Sequence, residues 1–413
     1  MKVEIKKIDH NGRGIGEVDG KKIFIPNTLP GEIVDAKVIS DKKKYSIGEV
    51  TKYIKTSDTR IKPICPYFDK CGGCDLMHIS YENQLHFKQN KIKEIINKFT
   101  DIDTEIIDNI VPANDNLYYR NKVTFQIQNE KIGFYEKKSN TVIDIDKCYI
   151  STSKINKILS KLKNLPLTGV KQIVVRTDDN VEEVMVILYL NKSINNNIFV
   201  DTLKDDITSL ITVYKNQESV IYGSNKIVLN LDKYAFELSP SSFFQVNTNQ
   251  CLNLYNKVLE FASPTKEDVV LDLYCGTGTI GIFLSSYCNQ VYGVEINEDA
   301  IKNANNNKVF NNIDNIIFKV GDAKKVVSKL NLDPTIVIVD PPRKGLDKET
   351  ITRLKKWRVK KIVYVSCDPM TFARDLNLLS DDYDIRKILP VDMFPNTSHV
   401  ETVSVLCRKT IEK

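Results

Sequence analysis

The chain has 413 residues, too many for one ordinary domain, and 42% of them are apolar, enough to fill several cores. Charged residues make up 27%, as in soluble proteins, and no run of about 18 apolar residues suggests a membrane span. The N-terminal stretch MKVEIKKIDHNGRGIG carries charges with no apolar segment behind them, so no secretion signal is expected and the cytoplasm is the expected location. Net charge is only +6, but residues 1–62 hold 14 Lys and Arg against nine Asp and Glu. Nearly all the excess therefore lies in the first sixth of the chain, which makes this stretch a candidate nucleic-acid contact or a plain solvated surface.

In chain order, residues 1–55 read as short strands (VEIKKI, KKIFIP, EIVDAKVIS, SIGEVTKYI) separated by glycine turns. That spacing fits a small barrel of the OB type. Residues 56–100 hold a cysteine-rich stretch and then YENQLHFKQNKIKEIINKF, one amphipathic helix. Residues 101–235 form a central α+β region in which KVTFQIQ, KIGFYEK, TVIDID, QIVVRT and EEVMVILYL suggest antiparallel strands. Residues 236–413 alternate strand and helix in the doubly wound style, so the fold class is α/β with a Rossmann-like C-terminal domain.

The C-terminal region carries a ligand motif. In DVVLDLYCGTGTIGIFL an apolar strand runs to Asp272, followed by a loop with Gly276 and Gly278 and a helix start at Thr279. Glycines let the backbone approach a ligand at the carboxyl end of a strand, although a lone glycine loop is a weak signal. VYGVEIN ends a second strand at Glu295, suited to ribose hydroxyls, and IIFKVGDA puts Asp322 after a third, near an adenine. The pattern is D-x-x-x-G-x-G instead of the three-glycine dinucleotide fingerprint. A carboxylate at Asp272 favours a cationic sulfonium and repels a pyrophosphate, which points to S-adenosylmethionine over NAD.

Two further strands end in reactive groups: TIVIVDPPRKG at Asp340 and KKIVYVSCDP at Cys367. A strand-end cysteine on a loop is more exposed than a core thiol, and reactive cysteines are partly exposed. Beside a methyl donor, a thiolate that adds to C6 of uracil turns C5 into a nucleophile. C5 then takes the methyl group, a base removes the C5 proton, and the thiol is eliminated. His399 and Glu401, in MFPNTSHVETVSVLC, are both candidates for that base.

With these residues in view, the chain resembles the RNA uracil-5-methyltransferases of the RumA/TrmA type over nearly its whole length. SPSSFFQVN, LDLYCGTGTIG, VYGVEIN, VDPPRKG, VSCDPMTFARD and FPNTSHVETV occur in the family's order. The resemblance implies Cys367 as nucleophile and Glu401, not His399, as base. It implies Gln245, Tyr274, Glu295 and Asp340 as positions that bind S-adenosylmethionine, with Asp322 a weaker carry-over. The N-terminal region is similar to the TRAM module of RNA-modifying enzymes, and DNLYYRNKVTF (Arg120, Lys122) resembles the entry to an RNA-facing central domain.

Cys65-x5-Cys71-x2-Cys74 supplies three thiolates and Cys148 can supply a fourth. Four thiolates suit zinc or an iron–sulfur cluster; the spacing is not that of a zinc ribbon, but the chemistry alone leaves zinc slightly ahead. The resemblance implies a [4Fe-4S] cluster, a feature with the TRAM module of the family's rRNA-modifying branch. 23S ribosomal RNA is therefore the expected partner, with no obligate protein partner evident. The alternatives are the same chemistry on the tRNA T-loop, or a catalytically inactive RNA-binding assembly factor, which would show a broken nucleophile or cofactor motif. A 5-methylcytosine enzyme would carry Pro-Cys where this chain has Ser-Cys-Asp-Pro.

Overall fold

The computed structural model describes residues 1–178, 181–325, 332–357 and 359–409. Its first six strands form one sheet that wraps on itself. The opening strand is broken at Ile5–Lys6: Lys2–Glu4 pairs with Ile33–Asp41 at one edge, and Lys7–Ile8 pairs with Gly14–Val18 at the other. One chain segment thus belongs to both edges, which removes them. Alternate residues (Val3, Ile5, Ile23, Ile25, Val34, Ala36) fill the interior. A Cβ on Gly16 would sit 2.3 Å from Val3 Cγ1, so only glycine lets the strands close this tightly.

The central sheet has seven strands between Lys122 and Gly223. Its strands pair antiparallel except Val181–Leu190 with Ser209–Tyr214, which run parallel because the helix Asn197–Leu203 crosses between them. The period of two divides Val181–Leu190 between two cores. Val184, Val186 and Leu188 face the helices Ser153–Leu162 and Asn197–Leu203, whereas Met185 and Ile187 join the hairpin Ile227–Leu238 and the C-terminal domain.

The C-terminal sheet also has seven strands. Five are parallel, in the spatial order Ile316–Val320, Gln290–Glu295, Val269–Leu273, Ile336–Val339, Lys361–Ser366. The last strand, Glu401–Arg408, inserts antiparallel between Lys361–Ser366 and Tyr383–Val391. The chain order reverses on either side of Val269–Leu273, and ligands of doubly wound sheets bind outside the strand ends at such a switch point. The helix Tyr81–Phe99 packs on this sheet through Ile92, Ile95 and Ile96, in one core with Leu376 and Leu379. Among the described residues no helix is long and apolar enough to cross a membrane.

Candidate active site and cysteine-lined cavity

The switch point gathers the residues singled out in the C-terminal motifs. Asp272 is fully buried; its Oδ2 accepts from Gly281 N–H at 3.0 Å and its Oδ1 has no partner. Burial first, then the neighbouring Asp340 and Glu295 carboxylates, push its pKa up to about 8. The loop that follows needs left-handed backbone at Tyr274 (φ 64°), Gly276 (54°) and Gly278 (79°). A Cβ on Gly278 would lie 2.4 Å from the Phe318 ring, whereas one on Gly276 would meet nothing within 4 Å, so that side of the loop is open to a ligand.

Glu295 ends its strand with both carboxylate oxygens in use: Oε2 accepts from Gly276 N–H (3.3 Å) and Oε1 from Asn297 N–H (2.9 Å). It therefore shapes the glycine loop. Asp322 follows the edge strand and accepts from Lys324 N–H at 3.2 Å. The buried Gln245 lies on a segment whose Phe243 carbonyl accepts from Thr277 Oγ1 at 3.3 Å, which lays that segment along the glycine loop. The Tyr274 hydroxyl is 3.5 Å from Thr350 Oγ1.

Asp340, Cys367 and Glu401 stand at the same sheet edge. The last ladder pair is Ser366 with Thr402, so continuing the antiparallel register by one step sets Cys367 opposite Glu401. Asp368 has a structural duty: its Oδ1 caps the helix Pro369–Leu379, accepting from Met370 and Thr371 N–H. Burial, then the Glu401 and Asp340 carboxylates, push the Cys367 thiol up to about 12. Burial and Asp340 push Glu401 up to about 8, and Asp340 itself rises to about 7 through burial. Arg343 opposes these shifts at both Cys367 and Glu401. This cation was present in PPRKG, but sequence reading assigned it no role. His399, the rival base, is exposed and its pKa is lowered mainly by partial burial of the ring.

The three cysteines of the N-terminal cluster and Cys148 meet around one cavity of about 280 Å³, with Phe68, Met77 and Tyr149 among its walls. Burial, followed by the charges of neighbouring thiols, raises Cys65 to about 11 and Cys74 well above its ordinary value. Among the described residues no group of three or more His, Cys, Asp or Glu is gathered so as to hold a metal ion. The thiols ring a space instead of converging on a point. A larger groove of about 1110 Å³ runs between the N-terminal barrel and the central domain, with Arg13, Lys52, Lys70, Lys137 and Lys138 along it.

Comparison with known proteins agrees with this architecture. The tRNA (uracil-5-)-methyltransferase family matches residues 80–409 and the TRAM domain matches residues 1–51. An uncharacterized RNA methyltransferase of Clostridium tetani is 37% identical over 96% of this chain and 93% of its own length. One from Staphylococcus aureus strain MSSA476 is 36% identical over 96% of each chain. The structure of the Pyrococcus abyssi tRNA (uracil-54, C5)-methyltransferase, in complex with S-adenosyl-L-homocysteine, superposes with a TM-score of 0.82 at 31% identity, covering 98% of this chain and 99% of that one. With a family match over four-fifths of its length and relatives along nearly all of it, this chain belongs to the tRNA (uracil-5-)-methyltransferase family and carries an N-terminal TRAM domain.

Proposed function

We propose that this protein transfers a methyl group from S-adenosylmethionine to C5 of a uridine in 23S ribosomal RNA, in the cytoplasm. The observation that carries the chemistry is the antiparallel insertion of Glu401–Arg408 beside Lys361–Ser366, which sets a cysteine opposite a carboxyl at the ligand edge. Cys367 gives up its thiol proton to solvent and bonds through the Sγ thiolate to C6 of the uracil, and the electron pair displaced from the C5–C6 double bond makes C5 the nucleophile. C5 takes the methyl from the sulfonium, leaving S-adenosylhomocysteine. Glu401 removes the C5 proton, the double bond re-forms and the C6–S bond breaks. A carboxyl raised to about 8 suits that step, because a base is most effective when its pKa lies near the working pH. Arg343 favours the charged forms of both groups.

Methyl-donor binding falls to Gln245, Tyr274, Glu295 and Asp340, with Asp322 toward the adenine. The buried Asp272 has an oxygen lacking a partner and a pKa raised to about 8, so it is held neutral in the ligand-free protein and a sulfonium beside it would favour its ionised form. RNA contact falls to the TRAM domain and the lysine-bearing groove beside it.

Cys65, Cys71, Cys74 and Cys148 are the proposed ligands of a [4Fe-4S] cluster. Four thiols around a cavity fit a polynuclear cluster better than one zinc ion, whose Zn–S bonds of about 2.3 Å draw four sulfurs to a point. Bound there, the cluster would supply cross-linking of the segment 65–74 to the central domain.

The choice of 23S RNA rests on the cysteine cavity and TRAM domain, features that resemble the rRNA-modifying branch. A second reading, the T-loop uridine of tRNA, is favoured by the full-length likeness to the Pyrococcus abyssi tRNA enzyme. Methylation assays on separate 23S and tRNA transcripts decide between them. Loss of a 5-methyluridine from 23S RNA in a deletion strain supports the first reading, and loss from tRNA alone overturns it.

A further inference from the structure

The turn that leads into Glu401 is held by a part of the chain more than 300 residues away. Asn396 has left-handed backbone (φ 66°), and all its polar groups are engaged. Its N–H donates to Gln84 Oε1 (2.8 Å) and its Oδ1 accepts from Gln84 Nε2 (3.1 Å). Its Nδ2 donates to the Asn116 carbonyl (2.6 Å), and its own carbonyl accepts from both Asp75 and Leu76 N–H (3.0 Å each). Two residues on, the N–H and hydroxyl of Ser398 both donate to Asp75 Oδ2 at 3.1 Å. Asp75 directly follows Cys74, and Ser398 stands three residues before Glu401. One side chain therefore bridges the wall of the cysteine-lined cavity and the approach to the reacting edge.

We infer that Asp75 is a positioning residue for removal of the C5 proton: through Ser398 and Asn396 it holds Glu401 in place, and it makes that placement depend on where the Cys74 backbone sits. The inference rests on the reading of Glu401 as the base. Two hydrogen bonds from one residue to a single oxygen fix the Ser398 backbone and side chain together, so this contact transmits displacement of Asp75. Ser398 and Asn396 are buried, 6% and 4% exposed, so water does not replace a lost partner freely. A purely stabilising weld would, when cut, lower every step in proportion. A positioning contact would, when cut, spare methyl transfer and delay proton removal.

The test is a single-turnover reaction with the full chain and its RNA, following cofactor binding, formation of a methylated enzyme–RNA adduct that survives denaturation, and release of methylated RNA. Asp75→Ala should slow release roughly ten- to a hundredfold, the scale of a misplaced catalytic group, while adduct accumulates and S-adenosylmethionine affinity stays within about twofold. Asp75→Asn keeps a carbonyl acceptor for Ser398 and should recover most of the loss. Ser398→Ala removes one bond only and carries the same test should Asp75→Ala not fold. Release and adduct falling together, or neither changing, would overturn the positioning role. Glu401→Gln is the control: if that variant builds no adduct, the base assignment itself is wrong, whatever Asp75 does. The link to the cysteines has its own readout, amide hydrogen exchange. In Cys74→Ser protein exchange across residues 396–400 should quicken, and unchanged exchange there would refute it.

Discussion

Replacing Asp272 by Asn should stabilise the ligand-free protein while weakening its hold on the methyl donor, and the gain should depend on pH. The carboxyl has one oxygen without a partner and a pKa pushed from 3.8 to about 8. Below about pH 4 it is protonated in the folded and unfolded chains alike and costs nothing. Between about 4 and 8 the unfolded chain ionises and the folded chain does not, so wild-type stability falls as pH rises, by about 1.4 kcal/mol per pH unit, and levels off above about 8. From pH 5 to pH 7.5 that amounts to about 3 kcal/mol, and to about 2 kcal/mol once proton sharing with Asp340 and Glu295 is allowed for. The amide keeps an acceptor for Gly281 N–H and has no charge to desolvate, so the variant escapes this loss. Urea denaturation of both ligand-free proteins at pH 5 and 7.5 reads the difference. The variant's advantage should grow by about 2 kcal/mol between the two pH values. Calorimetry should show S-adenosylmethionine binding weakened more than binding of the uncharged S-adenosylhomocysteine. An advantage that is the same at both pH values, or equal losses for both ligands, would refute the account of Asp272 as a buried carboxylate awaiting a cation.

Cys367→Ala should form no covalent adduct with RNA, whereas Glu401→Gln should accumulate a methylated one; turnover by Glu401→Gln with stalling of His399→Ala would reverse the two candidate bases. Glu295→Ala should weaken S-adenosylmethionine binding by about 1.5–3 kcal/mol, the range for a hydrogen bond to a charged group, and by more if the glycine loop relaxes when Gly276 N–H loses its acceptor. Calorimetry on that variant and on Asp340→Ala checks the pocket, and unchanged affinity in both would dismiss it. Anaerobically purified protein should contain four irons that are lost on changing Cys65, Cys71, Cys74 or Cys148; zinc without iron would rule the cluster out. Deleting residues 1–55 should weaken RNA binding and flatten its salt dependence while sparing cofactor binding, as filter binding over a salt series would show.

Much of this protein is written locally. The strand–glycine–helix passage from Val269 to Ser285, the carboxylates closing successive strands and the turn-rich first 55 residues are visible in the sequence because each depends on backbone chemistry within a few residues. The same holds for Cys367, whose place at a strand end follows from the apolar run before it. What the sequence left open depends on register and distance. Nothing near Glu401 distinguishes it from His399. The choice acquires a structural basis only when Glu401–Arg408 slots between two earlier strands, pairs Thr402 with Ser366, and leaves Glu401 buried and His399 exposed. The parallel pairing of Val181–Leu190 with Ser209–Tyr214, inside a region whose alternation reads as antiparallel throughout, was likewise decided by the crossing helix. The helix Tyr81–Phe99 is amphipathic in any setting, but only packing assigns its apolar face to the C-terminal sheet. Lys88 is buried on it against Asp392, and Gln84 grips Asn396 across 312 positions. Such contacts leave no periodic trace, because a hydrogen bond between distant residues constrains two positions and no pattern between them. Local sequence therefore determined which groups are candidates for the chemistry, and long-range packing decided which of them face one another.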